Sequence, residues 1–525
     1  PGPPATAQRR RRRPARPKGA AGFGEDPHSG GVERGCLRAI PDGLAAARCP
    51  GARMRAPLIP THPARRPGPW PVAAVLTTLV ACAGDPSGDK SGQDSGGEPD
   101  SGGGADAFSL PAAACGADHA VLPPTGMGAL VAAERDPALS LTAGAINALL
   151  ASQGLAGVFS ATHDVDTYRV RYQTQDRGQP IEASGFVVVP KAAGAVPTLL
   201  WTHPTVGFAD PCAPTAVGLE GAAFPILFAS AGFAVAAPDY LGMNGWGAAS
   251  TQLHPYIIAE PTALASLDNL RALQAVLAGP AAAIGTTADP ARLVHWGASE
   301  GGFAALWTDR YQVAYAPEFT TVATVAVVPP TDLRGLASHG VAGLSPTAAG
   351  LAGVLIGMDD WYRADDLRAV LQPVPAERLP VELRESCGDF PTIDTITAID
   401  QLFTPALIAA ASTGDWSALP DWGCRLGENS LLSAVVPRGH AAPVFIVTAE
   451  EDDLVVAAPT RDDVPRLCDA GYDVQYHECA GASHTAGAAN SLPVQWAWIQ
   501  DRLAGRPISG ACVVGPPVDC PPLTD

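Results

Sequence analysis

Charge is sparse in this chain: 16% of its 525 residues are Asp, Glu, Lys or Arg, against 47% hydrophobic. That balance excludes a charge-swollen disordered chain and describes a protein able to bury a substantial core. Basic residues are fewer still outside the amino-terminal end. Residues 1–82 hold 14 Lys/Arg and 4 Asp/Glu, leaving 20 against 48 in the rest, a net charge of −28. A folded region of that sign is a poor partner for nucleic acid or an anionic membrane surface. The basic run RRRRRPARPK at residues 9–18 has no interleaved aromatic residues and no folded basic domain to serve. Metal-binding patterns are lacking too, with no C-x-x-C and no Cys/His cluster at ligand spacing, so no metal site is expected.

Methionine is rare, and the first is Met54. Residues 1–53 are Arg/Pro/Gly-rich and patternless, and read as upstream leader or disorder. Residues 54–82 read as a targeting segment. Arg55, Arg65 and Arg66 supply positive charge, and WPVAAVLTTLVA (residues 70–81) supplies an apolar run of 12 residues, too short to span a bilayer. It ends in LVAC, which resembles a bacterial lipobox with Cys82 as the lipid-anchored residue; cleavage of an ordinary signal peptide near ACA is the alternative. Either reading exports the protein, to the cell surface as a lipoprotein or into the medium. Residues 83–110 are Gly/Ser/Asp-rich and read as a flexible linker. Beyond it lie eight cysteines, at 115, 212, 387, 424, 468, 479, 512 and 520, for which disulfides are expected in an oxidising compartment. The short spans suggest Cys468 with Cys479 and Cys512 with Cys520.

The remaining residues, 111–525, read as one α/β domain. Strand-like runs YRVRYQT, ASGFVVVP, TLLWTH, FAVAAPDY, RLVHW, ATVAVVPP, PVFIVTA and YDVQYHE recur from about Tyr168, bounded by Pro, Gly and Asp. Most of the later ones are almost wholly apolar, as strands covered on both faces of a parallel sheet must be. Helical stretches LEGAAFPILFASAG, EPTALASLDNLRALQAVLAG, GGFAALWTDRYQVA and SLPVQWAWIQDRLAG alternate with them. About residues 334–437 break this rhythm with a hundred helix-prone residues, a candidate cap over the carboxyl ends of the strands. Within it AAGLAGVLIGM (residues 348–358) fits either an apolar lid or a buried helix.

In RLVHWGASEGGFAALW a strand leads into a helix through G-x-S-x-G, with Gly297 and Gly301 flanking Ser299. Small residues at those positions permit the sharp turn that lifts a serine Oγ clear of the backbone and aims the next amide, that of Glu300, at an oxyanion. A serine nucleophile needs a base, and the base a carboxylate. His484 lies in a small-residue loop straight after the last strand, whereas His477 lies inside it. The run Glu450, Glu451, Asp452, Asp453 follows PVFIVTA, and the Ser–acid–His order of such sites requires one of them; Asp452 is preferred to Asp453. A second oxyanion donor is expected after LLWTH. Pro204 has no N–H, which leaves the Thr205 amide.

The motifs WTHPTVGFADPCAPT, APDYLGMNGWG, QLHPYI, SLDNLRAL and GASEGG, over about residues 168–503, resemble those of the secretory lipase family, the lipase-A-like group of α/β-hydrolases. The resemblance implies an α/β-hydrolase fold, a mostly parallel central sheet with helices on both faces, and a helical cap after the sixth core strand. It also implies hydrolysis of lipid-type carboxylic esters by Ser299, Asp452 and His484, with no metal or cofactor. The expected partners are small-molecule or lipid esters, not nucleic acid, with membrane contact only through the anchor and a monomeric state. Asp239, Tyr240, His254, Pro255 and Tyr256 match family motifs and read as structural around the site, with substrate lining as the alternative. Two other classes remain open. A serine peptidase or aminopeptidase would use the same triad with an acidic anchor for a free amine or a deep specificity pocket in the cap, and a non-catalytic surface-binding protein would need none of the three residues.

Overall fold

The computed structural model describes residues 108–523 except 109, 112–114, 116–118 and 154. The expected leader, the signal segment with Cys82 and nearly all of the linker lie outside the described residues.

Nine strands form one sheet. In chain order the elements are β1 (Leu130–Asp136), α1 (Ala143–Ser152), β2 (Val165–Asp176), β3 (Gln179–Pro190), β4 (Gly194–Thr202), α2 (Leu219–Ser230), β5 (Ala234–Pro238) and α3 (Ala259–Ala278). There follow β6 (Thr286–Ala298), α4 (Glu300–Tyr315) and β7 (Thr321–Val327). Six helices then intervene: α5 (Leu333–Gly340), α6 (Pro346–Tyr362), α7 (Pro373–Glu385), α8 (Pro391–Asp394), α9 (Pro405–Thr413) and α10 (Pro420–Glu428). The chain returns to the sheet with β8 (Val444–Ala449), α11 (Ala457–Asp469), β9 (Val474–Cys479), α12 (His484–Asn490) and α13 (Leu492–Leu503). The sheet order is β1-β2-β3-β5-β4-β6-β7-β8-β9. Strands β1, β2, β3 and β5 pair antiparallel, and the run from β5 through β4 and β6 to β9 is parallel.

The apolar strand sequences are explained by two-sided burial. Successive side chains of a strand point to opposite faces, and here each face meets its own layer. Leu200, Ala234, Ala236, Val444 and Ile446 face α3, α4 and the cap, while Leu199, Trp201, Val235, Phe445 and Val447 face α1, α2 and α13. Helix α6 contains the stretch that fits a lid or a buried helix. Leu351, Val354, Leu355, Ile356 and Met358 are all buried in the first layer, so it is a buried helix of the segment between β7 and β8. Among the described residues no helix is long and apolar enough to cross a membrane.

Three features differ from the sequence reading. His484, read in a loop, is the first residue of α12, whose amino end is capped by the Ser483 hydroxyl accepting from the Ala486 amide. Strand β1 and helix α1 precede the first expected strand, and β1 joins the sheet beside β2. The disulfides are Cys115–Cys424, Cys212–Cys387, Cys468–Cys512 and Cys479–Cys520, which corrects the pairing of Cys468 with Cys479 and of Cys512 with Cys520. The reason is geometric. Strand β9 carries Cys479 away from the end of α11, where Cys468 sits, and the carboxyl-terminal tail runs alongside β9. The Cys512 amide donates to Val474 O at 2.6 Å and the Val518 amide to Glu478 O at 2.8 Å. Each tail cysteine therefore meets the cysteine at its own end of the strand.

Candidate functional site

Ser299 follows β6 and caps α4 with φ +59° and ψ −119°, a conformation that non-glycine residues adopt only where their surroundings enforce it. Here the enforcement comes from close packing. A Cβ on Gly297 would lie 2.1 Å from Gly301 O, and one on Gly301 would lie 2.1 Å from Thr202 O. Only glycine at both places lets the turn close against the end of β4. The Ser299 amide is spent on Val327 O at 2.8 Å, which ties the turn to β7.

Ser299, Asp452 and His484 are brought together. Ser299 Oγ lies 2.9 Å from His484 Nε2, and His484 Nδ1 lies 2.6 Å from Asp452 Oδ2. A carboxylate accepts, so Nδ1 carries the proton and Nε2 presents its lone pair to the serine hydroxyl. Asp452 Oδ1 accepts from the amides of Leu454 (3.0 Å) and Val455 (2.8 Å), which orients the carboxylate. All three residues are buried, with Ser299 3% exposed. The other acids of the run do different things. Asp453 is exposed and its carbonyl accepts from the amide and hydroxyl of Thr347 at the start of α6. Glu450 accepts from the Gly481 amide.

The two candidate oxyanion donors lie on segments that touch. Glu300 begins α4, where helix amides point toward a developing negative charge. Thr205 lies in the loop after β4, which is braced on the elbow by the bond from Thr202 Oγ to Gly301 O at 2.8 Å. Thr205 Oγ lies 2.9 Å from Tyr256 Oη, and burial together with the nearby Glu300 carboxylate pushes the Tyr256 phenol up.

Sequence reasoning assigned no role to the Glu300 carboxylate. It is buried and meets His254 Nε2 at 2.6 Å. The signal was present in GASEGG and QLHPYI, but 46 residues separate the partners and no local pattern pairs them. Of the other motif residues, Asp239 is structural. It accepts from Ser184 Oγ at 2.5 Å and from the amide of Thr215 at 2.9 Å, with the Thr215 hydroxyl also bonded. Tyr240 donates to His203 O at 3.0 Å, and their rings lie 4.0 Å apart. Burial pushes the His203 imidazole below its ordinary range.

His477, Cys479 and Cys520 cluster within 4.8 Å, the spacing of a metal site. Both sulfurs belong to the Cys479–Cys520 disulfide, so the cluster offers no thiolate.

Residues 223–511 match the secretory lipase family. Among curated proteins the chain is similar to a protein of Mycobacterium tuberculosis named "Probable inactive lipase", at 28% identity over 53% of this chain and 57% of that one. It is also similar to a secreted triacylglycerol lipase of Malassezia globosa, at 24% identity over 66% of this chain and 74% of that one. The chain spans little more than half the length of several of the curated relatives it matches. Among solved structures, the rice cell wall degrading esterase LipA of Xanthomonas oryzae aligns with a TM-score of 0.59 at 22% identity, covering 73% of this chain and all of that one. The chain therefore has the α/β-hydrolase fold and belongs to the secretory lipase family.

Proposed function

We propose that this protein is a serine carboxylic-ester hydrolase, a lipase or esterase working through an acyl-enzyme. The observation that carries the reading is the buried relay from Ser299 Oγ through His484 to Asp452, with contacts of 2.9 and 2.6 Å. Ser299 Oγ attacks the ester carbonyl while His484 Nε2 takes its proton, and Asp452 holds the imidazole in the right tautomer and stabilises the imidazolium. The Glu300 and Thr205 amides hold the tetrahedral oxyanion. His484 then returns the proton to the departing alcohol, and water releases the acid by the same steps.

The protein is proposed to act outside the cytoplasm as a monomer, held to the cell surface through Cys82. The four disulfides among the described residues support an oxidising compartment, and the family name supports export.

The test is hydrolysis of p-nitrophenyl esters graded from acetate to palmitate, beside aminoacyl substrates, with Ser299→Ala as control. The expected result is ester hydrolysis, with kcat lowered on the order of 10⁶-fold in Ser299→Ala. Ester hydrolysis that survives Ser299→Ala would sink the assignment, and turnover of aminoacyl substrates alone would move it to the peptidases.

A further inference from the structure

The nucleophile is followed by an acid, and that acid is sealed. Glu300 is 2% exposed, its Oε1 lies 2.6 Å from His254 Nε2, and its Oε2 is buried without a hydrogen-bond partner among the described residues. His254 is fully buried and turns Nδ1 to Leu241 O at 2.9 Å. A carbonyl only accepts, so Nδ1 carries a proton. Two acceptors cannot face each other at 2.6 Å, so a second proton lies between Nε2 and Oε1. Whichever atom holds it, the pair as a whole is neutral. Without His254, a carboxylate with one bare oxygen would stand buried in the residue whose amide faces the oxyanion. Like charge there would oppose the transition state in a medium that screens poorly.

The same short segment reaches the other half of the hole. Two residues beyond His254, Tyr256 Oη bonds Thr205 Oγ at 2.9 Å. The tripeptide is itself folded tightly, with the Tyr256 amide bonded to His254 O at 2.8 Å. His254 also stacks on Tyr240, with ring centres 5.7 Å apart at 10°, and Tyr240 holds His203 O just before Pro204 and Thr205.

We propose that His254–Pro255–Tyr256 is a clamp that sets the two oxyanion donors relative to each other, His254 through Glu300 and Tyr256 through Thr205, and that His254 also cancels the Glu300 charge. These are positioning residues, and the inference rests on the ester-hydrolase reading above.

The experiment measures kcat and KM on a p-nitrophenyl ester for His254→Phe, His254→Gln, Tyr256→Phe, Glu300→Gln and the double variant Glu300→Gln/His254→Phe, with thermal unfolding of each. An oxyanion donor contributes 10²–10³ in kcat. His254→Phe is accordingly expected to lose about a hundredfold in kcat with KM within threefold. His254→Gln, which can still donate to Glu300, loses less. Glu300→Gln loses less than tenfold, and the double variant recovers only the part of the His254→Phe loss that comes from the bare charge, keeping the part that comes from the missing clamp. Tyr256→Phe loses about tenfold in kcat. If His254→Phe and Tyr256→Phe both stay within threefold of wild type, the clamp is overturned. A double variant as poor as His254→Phe overturns the charge cancellation, and a loss carried by KM assigns the segment to substrate binding instead. Should His254→Phe fail to fold, His254→Gln against Tyr256→Phe decides by the same criteria. Ser299→Ala separates the two readings. Hydrolysis surviving in Ser299→Ala rejects the enzyme assignment, whereas its loss there beside wild-type rates in the clamp variants rejects the clamp alone.

Discussion

Asp452 and Asp453 are neighbours of equal chemistry, and backbone direction decides between them. The turn after β8 sends Asp452 inward to His484 Nδ1 and leaves Asp453 exposed, holding α6 through its carbonyl alone. The two substitutions should therefore separate cleanly. Asp452→Asn keeps the shape but presents an amide that can hold His484 in the wrong tautomer, and kcat for ester hydrolysis is expected to fall on the order of 10⁴-fold. Asp453→Asn leaves the carbonyl bond to Thr347 in place, and kcat should stay within about threefold, since surface substitutions away from such features change little. Equal losses in steady-state assays of the two variants would contradict the assignment of the acid. The sequence held both candidates and the order that requires one of them. The side of the backbone on which each falls is set by turn dihedrals, on which the sequence bears only through Ala449, three residues before Asp452, where a turn glycine usually stands.

At the scale of elements, the strands from β2 to β9 were legible from strand-like runs bounded by Pro, Gly or Asp, β5, β7 and β8 being almost wholly apolar and β2 alternating polar and apolar residues. Strand β1 was not: LVAAERD is half-exposed at the edge of the sheet, so burial imposes no apolar pattern on it. Glu300 with His254, and Cys212 with Cys387, were illegible for a different reason, since each contact forms only after the sheet brings distant loops together. Asp239 is another such suture. It joins the end of β5 to Ser184 of β3 and to Thr215 in the loop after β4, with hydroxyl and amide donors around its carboxyl. Burial raises its pKa to about 6 from an ordinary 3.8. A carboxyl raised in the folded state binds its proton more tightly there than in the unfolded chain. Its contribution is complete below pH 3.8 and is lost as pH rises through 6. A two-unit shift corresponds to about 3 kcal/mol. The unfolding free energy of wild type minus that of Asp239→Asn, measured by denaturant titration, should therefore be greatest below pH 3.8 and decline by about 3 kcal/mol between pH 3 and pH 7. A difference that is flat over that range would mean the carboxyl titrates alike in both states.

Across the whole molecule, the cap is fastened to the rest of the chain on several sides. Cys212, just beyond the loop that carries Thr205, bonds Cys387 after α7, and Cys115 bonds Cys424 in α10. Phe208 packs on Tyr256 and on Phe390 of the cap, with ring centres 4.9 and 6.3 Å apart, and Asp453 holds the start of α6. Ser299 is only 3% exposed, and an ester is expected to reach it as part of this inserted segment yields. With the Cys212–Cys387 bond just beyond the Thr205 loop, the expected opening is of the chain between the disulfides rather than of the whole segment. Two consequences then oppose each other when the Cys212–Cys387 staple is removed. The double variant Cys212→Ser/Cys387→Ser loses the constraint on a loop of 175 residues, which should cost about 2–4 kcal/mol of unfolding free energy. It should also gain severalfold in kcat/KM on p-nitrophenyl palmitate relative to acetate, because the longer acyl chain demands the wider opening. The ratio of the two substrates is the informative quantity, since a general loss of stability lowers both rates together. An unchanged ratio, with the stability loss present, would show that the route to Ser299 does not pass under the stapled edge of the cap.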